Sequence, residues 1–280
     1  MESFRFVVVD VFTDRPLAGN QLAVFTDARE IPEDRLQPLA RELNFSETVF
    51  VYQTEGDGHA KIRIFTPANE LRFAGHPVLG TAFVLAGPLQ LGRIDLETGG
   101  GVIPVELERD GPRIVFGRMS QPLPKVEPVS FEPDLLAALG VERSELPVEL
   151  YDLGPRHVFV TLSSAEAVAA LEPDAAALRR LPPMCANCVA GSRRQWKSRV
   201  FCPAYAITED PATGSAAGPL ACHLARHGRI AFGEEIEIRQ GEEIDRASVL
   251  FARAFGSAGE IEKVEVGGSA VVVARGEFRL

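Results

Sequence analysis

The hydrophobic and polar positions along the chain alternate between the two-residue period of strands and the 3.6-residue period of helices. Residues 4–12 are rich in Val and Phe and predict a buried strand, whereas the spacing of Leu36, Leu39 and Leu43 predicts a helix over 32–43. Further strands are predicted over 21–25, 49–53, 61–65, 94–96, 102–108, 113–116, 157–162, 249–255 and 264–273, and further helices over 78–86, 135–139, 165–181 and 220–227. This mixture lacks regular βαβ alternation and predicts an α+β fold.

One short segment occurs twice in the chain. The sequence RIFTPA at 63–68 returns as RVFCPA at 199–204. Each copy is followed by an acidic residue and then by a glycine-containing turn, at 74–77 and 212–215, that opens a short apolar helix. A proline-rich stretch at 121–128 separates the copies and predicts a linker. We therefore expect two similar domains with a cleft between them.

Composition narrows the class of function. The chain has 280 residues, with 29 Lys and Arg against 39 Asp and Glu, which gives a net charge of −10. An acidic chain is a poor partner for nucleic acid or an anionic membrane and suits a small-molecule enzyme or binding protein. The acid at Glu2 and the interruption of the first apolar run at Asp10 lead us to expect no signal peptide. The uncharged stretch 73–92 is too interrupted by Pro and Gly to span a bilayer, so a cytoplasmic protein is expected.

Neither a metal nor a cofactor is expected from the Cys and His pattern. Cys185 and Cys188 form a CxxC pair, but no second pair follows, and we expect them in a proline-rich loop without a zinc or redox role. His223 and His227 lie one helical turn apart, yet the Glu of HExxH is absent. Both are expected to be exposed near a helix end. The glycines at 99–101 do not fit a nucleotide-binding motif.

The two glycine-containing turns offer a chemical function. The start of a helix leaves backbone N–H groups without intrahelical partners and carries partial positive charge, so it can hold a carboxylate or a developing oxyanion. The alternative is an ordinary helix start, because Thr213 and Ser215 are good capping residues and Pro77 suits a first turn. Spacing alone does not separate these interpretations, and the duplication favours a site.

Three segments carry a resemblance to a known family: NFSETVF at 44–50, FAGHP at 73–77 and EDPATGSA at 209–216 resemble the signatures of the PhzF-like isomerases and epimerase-like proteins. Shorter matches lie at 10–12, 19–20, 97–99 and 266–268. The resemblance implies a diaminopimelate epimerase-like fold of two pseudo-symmetric domains, each a curved, mainly antiparallel sheet or barrel around a central helix. It also implies a homodimer. We expect domain one over 1–118 with a returning strand at 266–280, and domain two over 119–265.

The resemblance also implies roles for individual residues. The Glu of the S-E-T motif transfers the proton in the family and corresponds to Glu47, whose apolar neighbours are expected to raise its pKa. The other candidate catalytic residues are His76 and Asp210, and the candidate substrate-binding residues are Gly75, Thr213, Gly214 and Ser215. Without the resemblance, Glu47 fits a surface carboxylate, His76 a capping or core histidine, and Asp210 the start of a turn.

Departures from related motifs bear on the reaction. Ala74 and the run 210–212 provide no thiols, so racemisation by two cysteines is not expected. Changes from the family pattern at 75–78 and 245–248 leave the substrate open. We expect a cofactor-independent isomerase that moves a proton within a small unsaturated or amino-bearing carboxylic acid. For the phenazine-pathway enzyme of the family, that acid is trans-2,3-dihydro-3-hydroxyanthranilate. The alternatives are a non-catalytic binder of small acids and an epimerase of unassigned substrate.

Overall fold

The structure is a computed structural model that describes residues 2–280. It divides into two compact units: unit 1 holds the described residues up to Ser120 together with Gly267–Leu280, and unit 2 is Gln121–Val266. Among residues 2–280, no helix combines the length and apolar character needed to cross a membrane.

Unit 1 is a mostly antiparallel sheet with two helices. Its strands are β1 (Ser3–Val11), β2 (Asn20–Phe25), β3 (Glu47–Tyr52), β4 (Ala60–Phe65), β5 (Glu70–Leu71), β6 (Arg93–Thr98), β7 (Gly101–Asp110), β8 (Arg113–Gln121) and β18 (Ala270–Arg279), and its helices are α1 (Glu33–Leu43) and α2 (Gly75–Leu89). The strands pair in the order β18–β1–β2–β3–β4–β6–β7–β8, in which only β2–β3 and β4–β6 are parallel.

Helix α2 lies at the centre of unit 1. It contacts β1, β2, β3, β6, β7 and β18, so the sheet curves around it. Its sequence is apolar on nearly all sides and most of its residues are buried, as expected for a helix without a solvent face. The central helix and the α+β class are therefore confirmed.

Gly80 sets how closely α2 approaches the sheet. A Cβ atom at this position would lie 2.7 Å from Val11 Cγ2 and 2.7 Å from Leu22 Cδ2. We expect Gly80→Ala to destabilise the protein by about 1–3 kcal/mol through overpacking. Gly87 in the same helix is the matched control, because a Cβ there has nothing within 4 Å and alanine is the better helix former. Urea unfolding measures both variants, and equal effects would contradict this prediction.

Unit 2 is built in the same way. Its strands are β9 (Lys125–Pro128), β10 (Glu149–Asp152), β11 (Arg156–Thr161), β12 (Cys185–Ser192), β13 (Gln195–Cys202), β14 (Ile207–Asp210), β15 (Ile236–Gln240), β16 (Ser248–Gly256) and β17 (Ile261–Gly268), and its helices are α3 (Glu132–Leu139), α4 (Ala165–Ala169), α5 (Ala175–Arg180) and α6 (Gly214–Arg226). The pairing order β9–β10–β11–β12–β13–β15–β16 repeats that of unit 1, with β11–β12 and β13–β15 parallel. Every residue of α6 except Arg226 is buried.

The duplicated segment corresponds to equivalent pieces of the two units. Its copies lie at the ends of β4 and β13, each followed by a short strand and then by the buried helix. In unit 1 the guanidinium of Arg63 bonds Glu70 at 2.7 Å, and in unit 2 Arg199 bonds Glu209 at 2.9 Å. The repeated arginine and acid therefore tie the strand to the short strand that precedes each helix.

Three local expectations were wrong. The helix expected over 165–181 is two short helices, because Pro173 interrupts the helical pattern and Asp174 accepts hydrogen bonds from Ala176 and Ala177 to start α5. The proline-rich stretch 121–128 begins at the division between the two units, as expected of a linker, but it is not free of regular structure, because its end forms strand β9, which pairs with β10. The segment around Cys185 is not a loop but strand β12, and Cys185 forms a disulfide with Cys202 on β13.

Candidate active site

In unit 1, Glu47 and His76 lie side by side. Glu47 is the first residue of β3, where its position in the register is opposite Leu22 of β2, and it is only 8% exposed. His76 is the second residue of α2 and is 3% exposed. Its Nε2 lies 3.5 Å from Oε2 of Glu47. The sheet and the central helix thus bring a buried carboxyl group and an imidazole together.

The imidazole of His76 is neutral in this environment. Burial lowers its pKa to about 3, although a hydrogen bond with the backbone of Gln21 opposes the shift. Its Nδ1 lies 3.3 Å from the side-chain nitrogen of Asn20. Among residues 2–280, nothing completes the hydrogen bonding of the buried Nε2. A buried ring nitrogen of this kind is suited to a polar group of a ligand.

The start of α2 is not capped by a side chain. Ala74, which precedes the helix, is extended and provides no hydroxyl or carboxylate, and Pro77 has no N–H to donate. The amides of Gly75 and His76 are thus the first N–H groups of a helix that begins beside Glu47. Such a helix start favours a carboxylate or developing negative charge.

In unit 2, a small hydrogen-bond network holds Asp210 in place. Asp210 ends β14 and is 5% exposed, and its Oδ2 accepts a 2.6 Å hydrogen bond from the hydroxyl of Thr213. Gln240 of β15 donates to the backbone oxygen of Asp210 at 2.7 Å and to Thr213 Oγ1 at 2.9 Å. Its own carbonyl accepts from the Thr213 amide at 3.2 Å. The carboxylate is therefore rigidly placed before α6.

These contacts help to decide whether the 212–215 turn is a binding site or an ordinary helix cap. The hydroxyl of Thr213 donates to Asp210 and does not cap α6. Only the backbone oxygen of Thr213 closes the first turn, by accepting from Ala216 and Ala217. The starts of α2 and α6 thus both lack a side-chain cap, which favours a binding site over an ordinary cap.

Ser215 has a partner that the sequence did not indicate. Its hydroxyl lies 3.0 Å from Nε2 of His157, a residue of β11 with a fully buried side chain. Burial lowers the pKa of His157 to about 3, so this ring is neutral as well. No sequence motif marks His157 or Gln240, because both reach the site through strand pairing over long sequence distances.

The structure gathers the seven candidate residues into two groups. Glu47, Gly75 and His76 lie together in unit 1, whereas Asp210, Thr213, Gly214 and Ser215 lie together in unit 2. That both groups act on one substrate stays a prediction.

A third polar cluster in unit 2 has the spacing of metal ligands. Among residues 2–280, the potential ligand atoms of Glu149, His223 and His227 all lie within 4.8 Å of one another. His223 is fully buried, so the expectation that it is exposed was wrong. The Glu149 oxygen that faces both histidines also accepts from Arg226 at 2.8 Å and from Tyr151 at 2.9 Å. Because a guanidinium already bonds that oxygen, the cluster is better explained as an internal hydrogen-bond network that anchors α6 to β10.

The buried neutral imidazoles predict acid sensitivity. His76 and His157 have folded-state pKa values of about 3, below the ordinary value of 6.5. Between these two pH values the unfolded chain binds protons that the folded chain does not. The free energy of unfolding is therefore highest above pH 6.5 and decreases as the pH falls below it. For each of the two rings, we expect the free energy of unfolding to fall by about 1.4 kcal/mol for every pH unit below the unfolded pKa and above the folded one.

Urea unfolding at about pH 7 and about pH 5 tests this expectation. His157→Gln should reduce the loss of stability between the two pH values, because the glutamine amide does not titrate. Equal stability of the unaltered protein at both pH values would contradict the prediction.

Comparisons with known proteins agree with this architecture. A sequence model of the phenazine biosynthesis-like protein family, PhzC-PhzF, matches residues 9–276. The trans-2,3-dihydro-3-hydroxyanthranilate isomerase of Pseudomonas aeruginosa is 51% identical over 276 residues, which cover 99% of both chains. A predicted epimerase of known structure from Pseudomonas aeruginosa has a TM-score of 0.83 at 29% identity, and covers 98% of this chain and 99% of its own.

A PhzF-family protein from Bacillus anthracis has a TM-score of 0.85 over 100% of both chains, and its 23% identity shows the shared fold. These similarities confirm the resemblance noted in the sequence and the epimerase-like fold. They also favour an enzyme over a non-catalytic binding protein, because the relative that shares half of its residues over the full length is an isomerase. The chain therefore belongs to the phenazine biosynthesis-like family and is an isomerase of the PhzF type.

Proposed function

We propose that the substrate of this isomerase is trans-2,3-dihydro-3-hydroxyanthranilate and that Glu47 moves the proton. The observation that carries the proposal is the 51% identity, over 99% of both chains, to the isomerase of that name from Pseudomonas aeruginosa. The burial of Glu47 beside His76 supports it, because a proton-transferring group needs a fixed position that excludes water.

Each group in the two units has a part in this proposal. Glu47 takes a proton from one carbon of the substrate and, as the acid, returns it to another, so the elemental composition is unchanged. His76 and Asp210 orient the substrate and its amino group. The hydroxyl of Ser215 and the first amides of α2 and α6, at Gly75 and Gly214, hold the carboxylate or the transient negative charge.

The reaction is proposed to need no cofactor. A proton next to a conjugated system that carries a carboxylate can be moved by acid/base groups and hydrogen-bond donors alone. Turnover should therefore survive extensive dialysis against a chelator. Loss of activity that returns on addition of a divalent metal would contradict cofactor independence.

The experiment that tests the function is turnover of trans-2,3-dihydro-3-hydroxyanthranilate by the purified protein in light and heavy water. We expect a product of the same elemental composition, which gains deuterium at carbon in heavy water to the extent that the protonated Glu47 exchanges with solvent before it returns the proton. No reaction of this acid, together with deuterium exchange into another amino or hydroxy acid, would instead identify an epimerase with a different substrate.

We also propose a homodimer, following the resemblance to the family. Light scattering in solution should give about twice the chain mass of 30.3 kDa. A mass equal to that of one chain across the concentrations used for turnover would contradict it.

A further inference from the structure

Among the described residues 2–280, His157 is the histidine whose ring bonds a candidate substrate-binding side chain of unit 2. It projects from β11, between β10 and β12 of the sheet, and its ring is completely buried. Its Nε2 lies 3.0 Å from the hydroxyl oxygen of Ser215, the second residue of α6. A hydroxyl and an imidazole can exchange the roles of donor and acceptor, so the tautomer of His157 decides which way this hydrogen bond runs.

Asn187 on β12 fixes that tautomer. Its side-chain nitrogen donates to the backbone oxygens of Cys185 at 2.8 Å and Val158 at 3.2 Å, and these two carbonyls determine the orientation of the amide. The same nitrogen lies 3.5 Å from Nδ1 of His157. Both hydrogens of this amide are directed to the two carbonyls and its nitrogen does not accept, so a proton on Nδ1 would have no acceptor there, whereas a proton on Nε2 is accepted by Ser215. The proton of the neutral ring is therefore on Nε2, which donates to Ser215.

The hydroxyl hydrogen of Ser215 is consequently directed away from His157. Among residues 2–280, the Ser215 hydroxyl forms one hydrogen bond, with His157, and no protein oxygen accepts the hydroxyl hydrogen. Ser215 lies at the uncapped start of α6, where the helix favours negative charge. A donor that is buried, oriented and placed at a helix start is suited to an anionic oxygen of a ligand.

We propose that His157 is a positioning residue that makes Ser215 a hydrogen-bond donor to the carboxylate or transient oxyanion of the substrate. This inference rests on the proposed function, in which Ser215 contacts the substrate. Asn187 holds the His157 ring, the ring occupies a lone pair of the Ser215 oxygen, and the serine hydrogen points to the ligand. The arrangement selects an anionic acceptor over a group that itself donates a hydrogen.

The tautomer can be measured without any substrate. Long-range proton–nitrogen NMR of the full-length protein reports which ring nitrogen of each of the five histidines carries the proton. The His157 signals are assigned by their absence from His157→Gln. We expect a neutral ring protonated on Nε2 that remains so as the pH is lowered through the range in which exposed histidines titrate. A proton on Nδ1, or a charged ring at neutral pH, would overturn the proposal.

A double-mutant cycle tests whether His157 acts through Ser215. We expect His157→Phe to lower kcat/KM about 10-fold and Ser215→Ala about 30-fold, as for one oriented hydrogen bond to a charged group. Adding His157→Phe to Ser215→Ala should then have no further effect, whereas a purely structural role of His157 would give additive losses. His157→Gln, whose amide nitrogen can replace Nε2 as the donor, should recover most of the activity lost in His157→Phe.

The two measurements separate this inference from the proposed function. If the unaltered protein does not convert trans-2,3-dihydro-3-hydroxyanthranilate, the proposed function fails while the NMR result still decides the tautomer. If the protein turns over this acid and the two substitutions are additive, the function stands and the positioning role is overturned. A failure of His157→Phe to fold shows in its thermal unfolding, and the cycle is then made with His157→Leu.

Discussion

The Glu47→Gln variant is expected to fold normally and to lose isomerase activity by about 1,000-fold. Glutamine has the shape of glutamate and fits the same buried position at the start of β3. Its amide neither accepts a proton from carbon nor returns one at neutral pH, so the proton-transfer step has no acid/base group. The decrease should appear in kcat, measured on trans-2,3-dihydro-3-hydroxyanthranilate, because the group acts in the chemical step.

Glu42→Gln is the matched control for this prediction. Glu42 lies in α1, five residues before Glu47, and is exposed, so the same chemical change there should leave kcat unaltered. Circular dichroism and thermal unfolding of both variants establish that the fold is retained. Turnover by Glu47→Gln at the level of Glu42→Gln would show that another residue moves the proton.

Much of the fold could be predicted from the sequence because burial leaves a periodic pattern. The Val-rich and Phe-rich run at the start of the chain is β1, and the apolar run after Gly75 is the central helix α2. The duplicated RIFTPA and RVFCPA segments mark equivalent strands of two units that share one pairing order. Such features depend on neighbouring residues along the chain, which the sequence shows directly.

Other features depend on residues that are distant in sequence. Cys185 and Cys202 meet because β12 and β13 pair in an antiparallel register, and no spacing rule distinguishes that partner from Cys188. His223 was expected to be exposed because it lies near a helix end, but every residue of α6 except Arg226 is buried. The burial of His223 depends on the strands that pack around α6, which are distant in sequence.

The candidate site also contains both kinds of feature, those marked by neighbouring residues and those that depend on distant ones. Glu47, His76 and Asp210 belong to short motifs that resemble the family's signatures, and they could be named through that resemblance. The residues that orient the site, Gln240 on β15 and His157 on β11, carry no motif, since each contacts its partner through the sheet. Sequence reasoning therefore identified the groups proposed to touch the substrate and missed those that hold them.

Replacing Asp210 is expected to cause the second large loss of activity. Its carboxylate accepts the Thr213 hydroxyl through Oδ2, and Gln240 bonds both its backbone oxygen and Thr213. In Asp210→Asn the amide oxygen can still accept from Thr213, so this hydrogen bond is retained. The other position then carries an NH₂ group in place of a negatively charged oxygen, and it repels the substrate amino group that we propose Asp210 to orient.

We therefore expect Asp210→Asn to lower kcat/KM by about 300-fold, the usual cost of removing one charge from a buried pair. Asp134→Asn, at an exposed position in α3, should retain full activity. Thr213→Val should show a smaller loss, because it removes one hydrogen bond to the Asp210 carboxylate without removing the charge. If Asp210→Asn matched Asp134→Asn while Thr213→Val was inactive, the hydroxyl of Thr213 rather than the charge of Asp210 would be the group that meets the substrate.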